Sequence, residues 1–171
     1  MKYAQIRKYD TANGPGIRST LFVSGCTHRC AGCFNQTYQD FNYGDTWTEE
    51  VENNFIEMVK DSNVHGVTIL GGEPLQQDDS MASLFIRIKE DTGKSLWVFT
   101  GYTFEHLLQM IANGTATKTM VMALLYADVL VDGPFIESKK DLRLKFRGSS
   151  NQRILDVKKS IEKGEAVECL I

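Results

Sequence analysis

Ser19-Thr-Leu-Phe-Val-Ser24-Gly25-Cys26-Thr-His-Arg-Cys30-Ala-Gly-Cys33 is the stretch on which the reading of this chain turns. Its first six residues, β-branched and aromatic, read as a strand. Three cysteines follow at the spacing C-x3-C-x2-C. Thiolates this close together on a compact loop can close around one small inorganic core. A cubane of four irons held by three cysteines keeps one iron free of protein thiolate. An open position is what a catalytic metal site reserves for its substrate, whereas a structural site fills every position. Zinc is the rival occupant. It needs a fourth ligand, and His28 or the distant Cys169 are the candidates. His28 lies inside the three-residue spacer, where reaching the same ion is awkward.

Strands and helices alternate downstream. Thr48, Glu49 and Glu50 open a helix whose apolar positions are Val51, Phe55, Met58 and Val59. Gly66–Leu70 is a short buried strand running into Gly71-Gly72. Met81, Leu84, Phe85 and Ile88 mark a second helix face. Ser95–Thr100 is a strand stopped by Gly101, and Thr103 caps a helix carrying Phe104, Leu107, Leu108 and Ile111. Ala127–Val131 is a further strand, stopped by Asp132-Gly133-Pro134, and two weaker strand patterns lie at Arg153–Val157 and Ala166–Leu170. This alternation predicts βαβ units and a mostly parallel sheet. Ligands of such sheets sit at the carboxyl ends of the strands. The cysteines, Gly71-Gly72-Glu73-Pro74, Thr100-Gly101-Tyr102 and Asp132-Gly133 all fall at those ends, so four separate segments should meet on one rim.

The chain has 171 residues, 42% of them hydrophobic and 24% charged, which fits one ordinary globular domain. A net charge of -3 gives no general reason to expect nucleic-acid binding. Basic residues gather at Lys139, Lys140, Arg143, Lys145 and Arg147, a run most simply read as a solvated face, with an acidic partner or phosphate as the minority reading. The first ten residues lack the apolar region of a secretory signal. The longest apolar stretch, Val121–Val131, is too short to span a bilayer. The expectation is a cytoplasmic protein without membrane contact. In that compartment clustered cysteines point to metal or catalysis rather than disulfides.

Other features are weighed against plainer readings. Glycines at Gly71-Gly72 allow close backbone approach, and carbonyls there can accept from an ammonium group. Asn13-Gly-Pro-Gly16 is a tight turn that enters the first strand, beside Asp10 and Arg18. His65 and His106 read as surface or helix histidines. Cys169 reads as a small buried hydrophobe. Among the aromatics after the cysteines, Phe34 is the one placed to lie against an adenine ring.

Cys26-Thr-His-Arg-Cys30-Ala-Gly-Cys33-Phe34-Asn35 resembles the cluster loop of the radical S-adenosylmethionine superfamily. Within it, the pattern is similar to the branch that activates anaerobic ribonucleotide reductases. The supporting segments are Asn13–Gly16, Leu21–Cys26, Gly71–Leu75, Trp97–Tyr102, Val129–Gly133 and Phe146–Gln152. The resemblance runs from about Tyr3 to about Val157. It implies a single domain over 1–171, with residues 158–171 as a closing helix and strand, and an α/β fold of the shortened, open (β/α) partial TIM barrel type. It implies a 4Fe–4S cluster on Cys26, Cys30 and Cys33, and S-adenosylmethionine touching Gly32, Cys33 and Phe34. Gly72, with Gly71 and Glu73, is implied to hold the methionine amino group; Thr100 and Asp132 are further rim candidates. No catalytic side chain beyond the cluster is implied. The implied partners are the reductase, as protein substrate, and a low-potential electron donor such as flavodoxin. An open barrel of this size cannot enclose a large substrate but can expose its rim to a loop of another protein. Alternatives are an activase of another glycyl radical enzyme such as pyruvate formate-lyase, a small-molecule radical enzyme, and a non-catalytic zinc module.

Overall fold

A computed structural model describes all residues, Met1–Ile171. The strands are β1 (Lys2–Asp10), β2 (Arg18–Ser24), β3 (Asp45–Thr46), β4 (Gly66–Gly71), β5 (Ser95–Phe99), β6 (Val129–Asp132) and β7 (Arg153–Asp156). The helices are α1 (Glu49–Val59), α2 (Asp79–Arg87), α3 (Phe104–Ala112), α4 (Lys118–Tyr126) and α5 (Val157–Lys163). One sheet holds all seven strands in the order β3-β1-β2-β4-β5-β6-β7. The central four, β2, β4, β5 and β6, run parallel; β1, β3 and β7 pair antiparallel at the flanks. The architecture is α/β, as expected from the alternation.

Local chemistry sets the element ends. Thr48, Thr103 and Thr117 cap α1, α3 and α4, each hydroxyl accepting a backbone N–H three residues on; such a cap contributes about 1 kcal/mol. Asp78 and Asp156 cap α2 and α5. Gly164 ends α5 in the left-handed region that favours glycine.

The helices all lie on one side of the sheet. Alternate strand residues Leu21, Val23, Val67, Ile69, Leu96, Val98, Leu130 and Leu155 share a 24-residue core with apolar residues from every helix. Because successive side chains of a strand point to opposite faces, the intervening residues project the other way. Trp97, Val131 and Ile154 form a small second cluster there, and Phe22, Leu70 and Phe99 face a cavity.

Arg18 is the largest fully buried side chain. It sits at the start of β2, hydrogen-bonded to Thr68 Oγ1 (2.7 Å), the Val67 carbonyl (2.6 Å) and both oxygens of Ser95. Burial pulls its pKa down to about 10. It supports the end of the sheet opposite the cysteines. Asp10 organises the turn that follows β1, accepting from Ala12 N and Asn13 Nδ2 at 2.7 Å each.

Several elements depart from the sequence reading, the two-residue β3 among them. β1 was not anticipated, nor was α4 as a separate helix. The pattern Ala166–Leu170 is no strand: it is an extended tail bridged to β7 at Leu155 and Glu168, with Cys169 N–H donating to the Ile154 carbonyl (2.7 Å) and Asp156 N–H to the Val167 carbonyl (2.9 Å).

Candidate active site

Four parallel strands deliver their carboxyl ends to one edge. There a cavity of about 480 Å³ opens, lined by Cys26, Cys30 and Cys33 after β2, Gly71, Gly72 and Glu73 at the end of β4, Thr100 and Gly101 after β5, and Gly133 after β6. Phe34 stands at its mouth, 56% exposed.

The cysteine loop is anchored at its base. Gly25 N and Cys26 N donate to the carbonyls of Tyr38 and Gln39 (2.8 and 3.0 Å), and a helical turn over Gln36–Gln39 closes it. All three thiols are free. Cys33 Sγ accepts the N–H of Asn35 at 3.4 Å. Burial, with the Glu73 charge adding, pushes Cys26 up to about 11; burial also raises Cys30. Metal binding must therefore displace protons from these thiols. No three His, Cys, Asp or Glu side chains stand close enough to share one ion. A cubane spaces its ligands more widely than a single tetrahedral ion does, so three soft donors spread around one open cavity fit an iron–sulfur core.

The Gly71-Gly72 pair answers a steric demand. Gly71 has φ +110°, and a Cβ on it would lie 2.6 Å from the Val23 carbonyl oxygen. A Cβ on Gly72 would lie 2.5 Å from the Gly25 oxygen. Only bare backbone lets the end of β4 press against the start of the cysteine loop. Gly72 N–H donates to Val23 and Glu73 N–H to Gly25, both at 2.8 Å.

Glu73 is 1% exposed, and its carboxylate joins three segments. It accepts from Leu75 N (3.0 Å) and Gly101 N (2.7 Å), and Oε2 lies 2.9 Å from His28 Nε2. His28 packs edge-on to Tyr102, ring centroids 4.7 Å apart. Gln77 Nε2 donates to the Ser24, Gly25 and Glu73 carbonyls at 3.1–3.3 Å. Gln76, Gln77, His28 and Tyr102 therefore hold the loop, a role the sequence reading did not assign. The one available signal was two consecutive glutamines directly after the turn at the end of β4.

Two residues sit differently from the others. Gly32 does not line the cavity; it turns the loop at φ +69° and lies against Glu137. Asp132 is wholly buried and turned away from the cavity. It accepts from Arg153 Nε (2.9 Å) and Nη2 (2.5 Å) and from Phe104 N (2.8 Å), so it caps α3 and fixes β7. Alternation along β6 puts it on the helix side with Leu130. Thr100 does line the cavity; its hydroxyl accepts the Tyr102 N–H at 3.1 Å.

The segment after β6 forms the far wall. Phe135 packs on Phe34 (centroids 5.1 Å) and Lys140 Nζ sits 4.9 Å from the Phe34 ring. Gln152 braces this wall: its Oε1 accepts from Gly148 N and Ser149 N, and its Nε2 donates to the Gly133 carbonyl. Cys169 lies outside the site, half-buried against the second cluster.

Comparison with known proteins agrees with this chemistry. A family model described as "4Fe-4S single cluster domain" matches residues 12–155. A protein of Salmonella typhimurium is 41% identical over 157 residues, spanning 89% of this chain and 96% of its own length. One from Escherichia coli is 40% identical with the same coverage. One from Haemophilus influenzae is 38% identical, with 90% and 97% covered. All three are named anaerobic ribonucleoside-triphosphate reductase-activating protein. With identity at this level over nearly the whole chain, and three free thiols around a glycine-walled cavity, this chain belongs to the family of anaerobic ribonucleoside-triphosphate reductase-activating proteins.

Proposed function

We propose that this chain is the enzyme that installs a glycyl radical on an anaerobic ribonucleotide reductase. The observation that carries the reading is the sharing of one cavity by three unpaired thiols and the bare-backbone end of β4, in a chain whose relatives carry that name. Cys26, Cys30 and Cys33 would hold a single 4Fe–4S cluster, with S-adenosylmethionine beside it in the same cavity. With both bound and a reductant present, the cluster would supply the electron for reductive cleavage of S-adenosylmethionine, the chemistry that ends in methionine, 5′-deoxyadenosine and a glycyl radical on the partner.

The chain's own residues bind, orient and exclude water. The Gly72 carbonyl, which takes no hydrogen bond from the chain, receives the methionine ammonium together with its neighbours Gly71 and Glu73. Glu73 contributes by holding Gly72 in place, since its carboxylate is engaged with Leu75, Gly101 and His28 and its carbonyl with Gln76 N–H and Gln77 Nε2. Cys33 and Phe34 form the opposing side, with Gly32 turning the loop behind them, and Phe34 offers its ring to adenine. Thr100 lies on the rim between them. Asp132 acts at one remove, by fixing α3 and β7.

Helices on one face and a cavity on the other support reading the sheet as a shortened, open barrel of the radical S-adenosylmethionine type, formed by residues 1–171 as one domain. No helix is long and apolar enough to cross a membrane; a cytoplasmic location with a flavodoxin-like electron donor completes the reading.

The test is anaerobic. Brown protein with about four irons, mixed with reductant, S-adenosylmethionine and the reductase, should give a glycyl signal in electron paramagnetic resonance and 5′-deoxyadenosine in equal amount. Colourless protein holding about one zinc would sink the reading. A glycyl signal on pyruvate formate-lyase, with none on the reductase, would reassign the substrate.

A further inference from the structure

The basic run at 139–147 is not absorbed by the cluster site. It belongs to the loop between β6 and β7 that forms the far wall of the cavity. Within it Leu142 is 81% exposed, beside the cavity mouth where Leu144 and Phe146 turn inward. Arg143 pairs with Asp141 at 2.8 Å. Lys139, Lys140 and Lys145 are exposed and meet no carboxylate. The rest of the molecule is acidic on balance, the whole chain carrying -3. A large exposed leucine flanked along the loop by lysines that meet no carboxylate is costly to leave in water and marks an interaction surface.

The loop is also held in shape. Ser150 N–H donates to the Lys139 carbonyl (2.9 Å), Asp141 N–H to Gly148 (3.3 Å), and Lys140 bridges Ser149. Gln152 and Asn151 tie its base to Gly133 and Pro134. A surface fixed before binding loses little freedom on binding.

We propose that Lys139, Leu142 and Lys145 form the docking lip for the reductase, engaging an acidic segment of it with an apolar side chain seated on Leu142. This rests on the activase reading, because the protein that receives the radical must pass a chain segment across this mouth. An electron carrier can approach the cluster from elsewhere and has no such need.

The test uses the intact chain with the reductase. Binding of wild type should weaken with salt. Lys139→Glu/Lys145→Glu should bind roughly tenfold more weakly, with a shallower salt dependence. Leu142→Ser should also weaken binding several-fold while keeping the wild-type salt dependence. Glycyl radical yield should fall in both at low reductase concentration and recover at high concentration. Release of 5′-deoxyadenosine without reductase, driven by a chemical reductant, should stay at the wild-type level. Equal binding by wild type and both variants, with wild-type radical formation intact, overturns the docking inference alone. A defect present only with a protein electron donor, and absent with a chemical reductant, also overturns it and assigns the lip to that donor. A wild-type chain that neither binds nor activates the reductase overturns both readings.

Discussion

Gln76 closes on Thr27 through both ends of its amide: Oε1 accepts the Thr27 N–H and Nε2 donates to Thr27 Oγ1, each at 2.8 Å, while Nε2 also reaches Tyr102 Oη at 3.0 Å. One side chain thereby ties the turn after β4 to the residue that follows Cys26. Gln76→Ala removes these bonds at a cost of about 1–2 kcal/mol. The variant should fold but lose iron to a chelator several-fold faster than wild type, read by the decay of cluster absorbance.

Glu73→Gln keeps the shape and removes the charge. An amide has one acceptor oxygen where the carboxylate has two, and Leu75 N and Gly101 N use separate oxygens. One buried N–H then loses its partner, which costs about 1–3 kcal/mol. The denaturant midpoint of the ligand-free chain should fall accordingly. An unchanged midpoint would remove Glu73 from the frame.

Gly71→Ala and Gly164→Ala separate steric demand from conformational preference. Both positions have positive φ, but a Cβ at Gly71 runs into backbone whereas one at Gly164 meets nothing within 4 Å. Gly164→Ala should cost about 1–2 kcal/mol. Gly71→Ala should cost more and should spoil cluster loading, because β4 must back away from the cysteine loop. Thermal unfolding of the pair checks this.

Asp132→Asn tests a structural role against a ligand role. Asp132 is fully buried against Arg153, which is partly exposed and also paired with Glu105, so Asp132→Asn should cost about 1–3 kcal/mol, the penalty for the buried hydrogen bonds it weakens. Stability should drop while the affinity for S-adenosylmethionine in folded, loaded protein stays near wild type. Wild-type stability with lost affinity would return Asp132 to the rim.

Acid should act through Asp10 and Glu105. Burial alone would raise Asp10, but the hydrogen bonds from Ala12 and Asn13, with Arg7 nearby, outweigh it and hold it below the ordinary carboxylate value. The hydrogen bond from Arg153 holds Glu105 below 4.5. Folded values below unfolded ones mean stability fully present above those ordinary values and lost as pH falls through the lowered ones. Urea midpoints of wild type should therefore decline below about pH 4, and Asp10→Asn should decline less steeply.

Much of the site could be read before the fold was seen, because its residues are tied to strand ends. Thr48 and Thr103 as caps, and the glycines after β4 and β5, are local chemistry that neighbours do not override. β1 escaped because Lys2, Arg7, Lys8 and Asp10 give it the look of a solvated segment, and only its pairing with β2 makes it a strand. α4 escaped because Met120 to Leu125 is apolar all round and merges into β6, leaving no period to count. Asp132 was placed at the right height but its side depends on strand alternation. Gln76 and Gln77 act across about 50 residues of sequence, a distance that composition does not encode.

All five helices pack on the same face of the sheet. The cavity on the other face therefore has a floor and sides but no roof. A reactive species formed there is shielded only while the recipient is seated over it. Shielding and delivery become one event, so the chain should squander S-adenosylmethionine when alone and spend it one for one when its partner is in place. That coupling would come from what the fold leaves uncovered rather than from any moving part.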